Sequence, residues 1–193
     1  MGRNYWMFVE SLEEFEVTRE RGYTLYGVGK KYRRRAQRMQ PDDRVLVYVS
    51  PLRKWTATAT ITSGSFEDYT LVWKPTRRDG KYPYRIKMAP DIVLDEVDYI
   101  DALMLAPGLE YVKHWAPEYW PLAFFDKLHL LPQRDFRMIE REMKRNLTNR
   151  RKTETRVGPA AEEPVRTEDP GVASADVQVQ PAGAPDQIAA EGS

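Results

Sequence analysis

The chain has 193 residues, no cysteine, two histidines and a formal net charge of +1. The missing cysteine excludes disulfide scaffolds, thiolate zinc sites, iron–sulfur clusters and cysteine nucleophiles, and His114 with His129 are too few for a histidine-rich metal centre. With 41% apolar residues, and five Trp and eleven Tyr in the chain, it can bury the core of one domain, at most two.

In chain order, residues 4–10 (NYWMFVE) read as a strand rich in aromatic and β-branched types. Ser11 and Glu14 form a capping box that opens a helix running to about Arg21 and stopping at Gly22, which tolerates the left-handed conformation beyond a helix end. A strand over 23–28 follows. Residues 30–39 (KKYRRRAQRM) read as a helix with Tyr32, Ala36 and Met39 on its inward stripe and the cations on the other side. Pro41, Asp42 and Asp43 turn the chain into a strand over 44–50 whose nearly continuous apolar run predicts a central position in a sheet. Strict alternation over 55–62 (WTATATIT) predicts its hairpin partner.

Residues 63–81 read as a loop with a short strand near 69–73. A strand follows over 82–88, with Pro83 marking an edge or a strand start. A helix is expected over 95–105, loop and short helix over 107–120, and a final amphipathic helix over 133–146 with Phe136, Ile139 and Met143 on one face. Strands interrupted by helices, with antiparallel hairpins, define an α+β or small-barrel fold.

The composition is uneven. All aromatic residues precede residue 150, and the stretch from Arg151 onward carries four cations against eight carboxylates, a net of −4 that leaves +5 on residues 1–150. Such a stretch cannot bury enough apolar surface to offset its ordering entropy, so a disordered acidic tail is predicted. The start of the chain has no long apolar segment, and no apolar run approaches the roughly 20 residues of a membrane span, so a soluble cytoplasmic protein without a membrane partner is expected.

The sequence carries no G-x-S-x-G, Walker, G-x-G-x-x-G or H-E-x-x-H motif. The paired acids Glu13/Glu14 and Asp42/Asp43 fit capping and solvation, and His114 and His129 fit structural or surface roles. No enzyme, cofactor or metal is therefore expected. The basic segment is the strongest signal: six cations within residues 30–38 can follow a phosphate backbone, or simply form a solvated face. Interleaved aromatics from separate elements, including Trp6, Tyr32, Tyr48, Trp73, Tyr82, Tyr84 and Trp115, are either core residues or platforms for nucleobases.

Four segments, NYWMFVE, YGVGKKYRRRAQRMQPDDRVLVYVSP, VWKPTRRDGKYPYRIKM and WPLAFFDKLHLLPQRDFRMIEREM, together resemble the EVE domain family, relatives of the YTH domains in the PUA-like superfamily. The resemblance spans about residues 4–146. It implies a small curved β-barrel (PUA-like) flanked by helices, over residues 1–148, with the disordered acidic tail at 149–193. It further implies a pocket at one barrel mouth that reads a modified base such as 5-methylcytosine or its oxidised forms in DNA, in modification-dependent restriction. One wall of a YTH methyladenine cage would fall at Gly29 and Lys30, where this chain has no tryptophan, and a second wall at Trp73. The expected nucleobase contacts are Trp6, Gly27, Val28, Gly29, Tyr48, Ser50, Trp73, Tyr84, Arg85 and Trp115. Lys30, Lys31, Arg34, Arg35 and Arg38 are the expected phosphate contacts. The expected partners are nucleic acid, modified DNA ahead of RNA, and a separately encoded nuclease. An RNA-binding PUA-type protein acting on tRNA or rRNA, and an enzyme using a small molecule in the barrel pocket, are the alternatives. The oligomeric state stays open.

Overall fold

A computed structural model of the chain describes residues 2–74 and 81–156. The predicted acidic tail lies largely outside the described residues, and the predicted boundary at residue 148 falls within the last helix.

The strand β1 (Tyr5–Glu10) is buried along its whole length. At its end the capping box forms as predicted: the Ser11 hydroxyl accepts from the Glu14 amide at 3.3 Å, and the Glu14 carboxylate accepts from the Ser11 amide at 2.9 Å. It opens α1 (Leu12–Glu20), which ends before Gly22 and Tyr23, both left-handed with φ of 63° and 57°. That two-residue turn delays β2 to Leu25–Val28.

The basic segment is shorter than predicted. A 3₁₀ turn at Lys30–Tyr32 leads into α2 (Arg33–Ala36), and the chain then tightens, with Met39 N–H donating to the Ala36 carbonyl at 3.0 Å. Tyr32, Ala36 and Met39 are nevertheless buried together, as the stripe requires. β3 (Arg44–Val49) and β4 (Lys54–Ile61) form the predicted hairpin. β4 is more deeply buried than alternation suggests, since Thr56 and Thr58 lie at 0% exposure along with the apolar face.

The middle of the chain departs further. The short strand is β5 (Phe66–Glu67), not 69–73, because the Thr70 amide donates to the Asp68 carboxylate at 2.9 Å and closes an Asx turn. β6 (Tyr84–Val93) runs five residues beyond the predicted strand. It accommodates Pro90 at a bulge, where Asp91 is left unpaired and reaches the Thr60 hydroxyl (2.9 Å) and Arg44 (3.2 Å). The predicted helix over 95–105 is instead a 3₁₀ turn (Glu96–Asp98), a bridge β7 (Ile100–Asp101) and α3 (Ala102–Leu105). Pairing of Ile100 with Trp55 overrides the local helical pattern, and Asp101 caps Leu103.

After 3₁₀ turns that include Pro117–Phe124, an unpredicted strand β8 (Leu128–Leu130) pairs with β1, and α4 (Gln133–Arg156) extends ten residues past its predicted end. Its stripe of Phe136, Ile139 and Met143 is buried, with the Phe136 ring 5.1 Å from that of Tyr5.

The sheet runs β2-β6-β4-β3-β1-β8, with β5 on β6 and β7 on β4. β1 and β3 are parallel and the other pairs antiparallel. β6 serves two neighbours in succession, β2 along its first half and β4 along its second. That division curls the sheet until Tyr26 of β2 stacks on Phe8 of β1, ring centroids 3.9 Å apart. The result is a curled half-barrel flanked by helices. Among the described residues no helix is long and apolar enough to cross a membrane.

Candidate nucleic-acid interface

Because β1 and β3 run parallel, they end together, Glu10 opposite Val49, and the Ser50 amide donates to the Glu10 carbonyl at 3.0 Å. Beyond these ends lies a cleft of about 580 Å³, walled by Ser50 and Pro51, Ser11 and Glu14, Lys31 and Tyr32, Tyr82, and Phe124 to Lys127. Two ion-paired groups line it, joined through the consecutive residues Asp126 and Lys127. Glu14 holds Lys127 and accepts from the Tyr82 hydroxyl at 2.5 Å, and the Lys127 ammonium sits over the Tyr82 ring at 4.5 Å. Next to Lys127, Asp126 accepts from Lys31 (2.9 Å), the Tyr32 hydroxyl (3.1 Å) and Arg35 (3.2 Å).

The carboxyls respond to these settings. Burial raises Glu14, but Lys127, Tyr82 and the Ser11 amide outweigh it and hold the group below its ordinary range. The hydrogen bond from Lys31 leads the lowering of Asp126. Glu10, buried under the cleft with only the Thr18 hydroxyl donating to it (2.7 Å), is pushed up to about 7 by desolvation, and its Oε2 meets no donor among the described residues.

A second cleft, of about 520 Å³, opens on the other side of Phe125 and Asp126, which line both. Trp6, Tyr111, Trp115, Leu130, Arg35 and Arg38 help to wall it, over His129. The His129 Nε2 lies 2.6 Å from the Asp126 carbonyl, so it carries the proton, and Nδ1 accepts from the Tyr111 hydroxyl at 2.8 Å. Burial lowers the His129 pKa and keeps the ring neutral.

The predicted single pocket is therefore divided. Ser50 and Lys31 line the first cleft, whereas Trp6, Trp115, Arg35 and Arg38 line the second. The Trp6 ring is buried and its indole N–H donates to Asp43 at 2.9 Å. Tyr48 lies beneath Phe124, its hydroxyl pushed up to about 12 by burial. Val28 and Gly29 are buried. Gly27 gives room to Trp73: a Cβ there would stand 2.5 Å from the indole ring. Trp73 in turn meets Tyr82 edge-on and borders a small recess of about 120 Å³ beside α1. Arg85, expected at a base edge, is 2% exposed and lines neither cleft; its guanidinium clamps Asp68 and Thr70 and lies 5.7 Å from Trp73. Tyr84 is covered by Arg33.

Among the expected phosphate contacts, Lys31 and Arg35 are tied to Asp126. Lys30, Arg34 and Arg38 are exposed without a carboxylate partner among the described residues. Sequence reasoning missed Glu10, Phe125, Asp126 and Lys127. The last three follow an aperiodic 3₁₀ stretch, and the only signal there is an acid–base pair directly after the apolar run PLAFF.

The molecule is thus a curled, mixed sheet with a cleft at the ends of its parallel strands, lined by Lys31 and Lys127. The EVE domain family model matches residues 4–107, and the chain belongs to that family. It is 29% identical over 149 residues to the UPF0310 protein PH1033 of Pyrococcus horikoshii, an alignment covering 71% of this chain and 97% of that protein. In fold it is similar to the YTH domain-containing protein mmi1 in an RNA complex, with a TM-score of 0.56, 6% identity and coverage of 78% and 87%. It is similar also to the YTH domain of Zygosaccharomyces rouxii MRB1 in complex with N6-methyladenosine RNA, with a TM-score of 0.51, 13% identity and coverage of 75% and 91%.

Proposed function

We propose that this chain is a non-enzymatic reader of a modified base in nucleic acid, taking one extruded base into the Ser50 cleft while Lys30, Arg34 and Arg38 meet the backbone. The observation that carries this reading is the adjacency of that cleft to unneutralised cations on the same basic segment, with Lys31 lining the cleft itself. Membership of the EVE family and the likeness of the fold to RNA-bound YTH domains support it.

Magnitudes assign the work. Extruding a base from a duplex costs a few kcal/mol, which stacking offsets. A methyl group buried on the base adds only about 0.8 kcal/mol, a few-fold in affinity. Sharper discrimination comes from polar groups that would be left unpaired by the wrong base, here the Ser50 hydroxyl on the cleft wall. A non-enzymatic role fits His129, whose two nitrogens are engaged by the Tyr111 hydroxyl and the Asp126 backbone carbonyl.

The test is a titration of otherwise identical DNA duplexes containing cytosine, 5-methylcytosine or 5-hydroxymethylcytosine, at two salt concentrations, with RNA of the same sequence in parallel. A modified DNA duplex is expected to bind several-fold tighter than the unmodified one, with affinity falling as salt rises. Equal or salt-insensitive binding across the series overturns the reading, and tighter binding of RNA overturns its DNA preference.

A further inference from the structure

The geometry points to a second nucleotide subsite in the Trp115 cleft, which stacks the base next to the one held in the Ser50 cleft without reading its identity. This inference rests on the reading of the Ser50 cleft as the modified-base site.

Three observations carry it. First, the two clefts share a wall: Phe125, 76% exposed, and Asp126 line both, so a strand leaving the Ser50 cleft over this ridge enters the Trp115 cleft directly. Second, the cleft presents rings at the surface. Trp115 is 42% exposed and has no aromatic partner among the described residues, and Leu122 and Leu130 are also about half exposed. Large apolar side chains of this kind grouped on one concave wall, rather than scattered, mark a binding surface. Third, the rim is cationic where a phosphate would lie. Arg38 has no carboxylate partner among the described residues, and Arg35 is held in place by Asp126 and by the Leu128 carbonyl at 2.9 Å. That combination of ring faces and guanidinium groups suits a nucleotide better than an uncharged apolar ligand.

The floor explains why the subsite is indifferent to sequence. Tyr111 and His129 are hydrogen-bonded to each other, and the remaining His129 nitrogen is bonded to the Asp126 carbonyl. Neither leaves a free donor to address a base edge, so the cleft offers stacking and charge.

The experiment uses the full chain and fluorescently labelled pentanucleotides with a central 5-methylcytosine and thymine flanks, in deoxy and ribo forms. Two further probes replace the base immediately 5′ or 3′ of the centre with an abasic spacer, which keeps the phosphates, and a third places the spacer at the centre. One of the two flank-abasic probes is expected to bind wild type about 5- to 100-fold more weakly than the intact probe. Trp115→Ala binds both equally weakly, Trp115→Tyr restores the difference, and Arg38→Ala weakens both while preserving their ratio. Phe125→Ala supplies a second ring deletion, expected to narrow the ratio, should Trp115→Ala not fold. No sensitivity to either flank in wild type, or an unchanged flank effect in the folded ring variants, overturns the subsite. Sensitivity to a flank but not to the centre upholds the subsite and overturns the reading of the Ser50 cleft, and no binding to any probe overturns both.

Discussion

The two clefts share one ridge and are of similar size, but they are built differently. In the Ser50 cleft the charges are balanced within the wall, Glu14 by Lys127 and Asp126 by Lys31, and apolar groups such as Pro51, Pro121 and Phe125 supply much of the remaining lining. In the Trp115 cleft the polar floor is closed on itself through His129, while the rim keeps a half-exposed indole and Arg38, which has no carboxylate partner among the described residues. Oriented polar groups discriminate, whereas rings and cations bind broadly. The contrast lies in how two clefts on one small sheet dispose of charge: one pairs it within its wall, and the other keeps at its rim an arginine with no carboxylate partner among the described residues.

The largest expected effect comes from removing what both clefts lean on. The buried Phe124 ring lies within 5.1 to 6.3 Å of Tyr48, Trp55, Tyr111, Trp120 and His129. Phe124→Ala should cost about 3–5 kcal/mol in urea unfolding and impair both clefts together. A loss under 1 kcal/mol would show that the clefts are not supported in common.

Next come opposite pH dependences. Glu10, under the Ser50 cleft, titrates near 7 when folded against an ordinary 4.5, so the folded state binds its proton more tightly. Folding stability from this group falls as pH rises from 4.5 through 7, by about 3 kcal/mol. Glu10→Gln should therefore gain on wild type between pH 5 and 8. His129, under the other cleft, has a lowered folded pKa, so its contribution is present above 6.5 and is lost as pH falls below it. His129→Gln should gain on wild type in the acid direction. Guanidinium unfolding across pH measures both, and parallel profiles for the two variants would dissolve this part of the contrast.

Smaller still are changes at the cations. Lys30→Ala, Arg34→Ala and Arg38→Ala should each reduce the slope of log affinity against log salt on duplex DNA by about 0.9. Lys31→Ala and Arg35→Ala should change it less, since Asp126 already neutralises them. Equal slopes for all five would mean that the ion pairs open on binding. Smallest is the stability of Trp115→Ala, expected within about 0.5 kcal/mol of wild type because a half-exposed ring supports little of the core.

The sequence foretold the regular parts of the molecule because local chemistry decided them. The capping box at Ser11, the buried stripe of Tyr32, Ala36 and Met39, and the β3–β4 hairpin needed no distant partner to be read. β7 and β8 were illegible because each exists only through a strand far along the chain, Trp55 for one and Met7 for the other. The site suffered likewise. Ser50 and the basic segment were visible, but Asp126 and Lys127 enter through a 3₁₀ stretch with no periodicity. The partners of Arg85 were illegible for a related reason: in sequence it stands beside Tyr84, and only the 68–70 turn brings Asp68 and Thr70 to its guanidinium.

The placement of β1 has a consequence for how the chain is made. It precedes both of its neighbours, β3 and β8, along the chain, so one of its edges waits for residues 128–130. Until they arrive, the sequence YWMFVE presents an apolar row of unpaired amides and carbonyls to any neighbouring chain. A chain ending before Leu128 is therefore expected to aggregate more readily than the full chain, because the short strand LHL is what covers that edge.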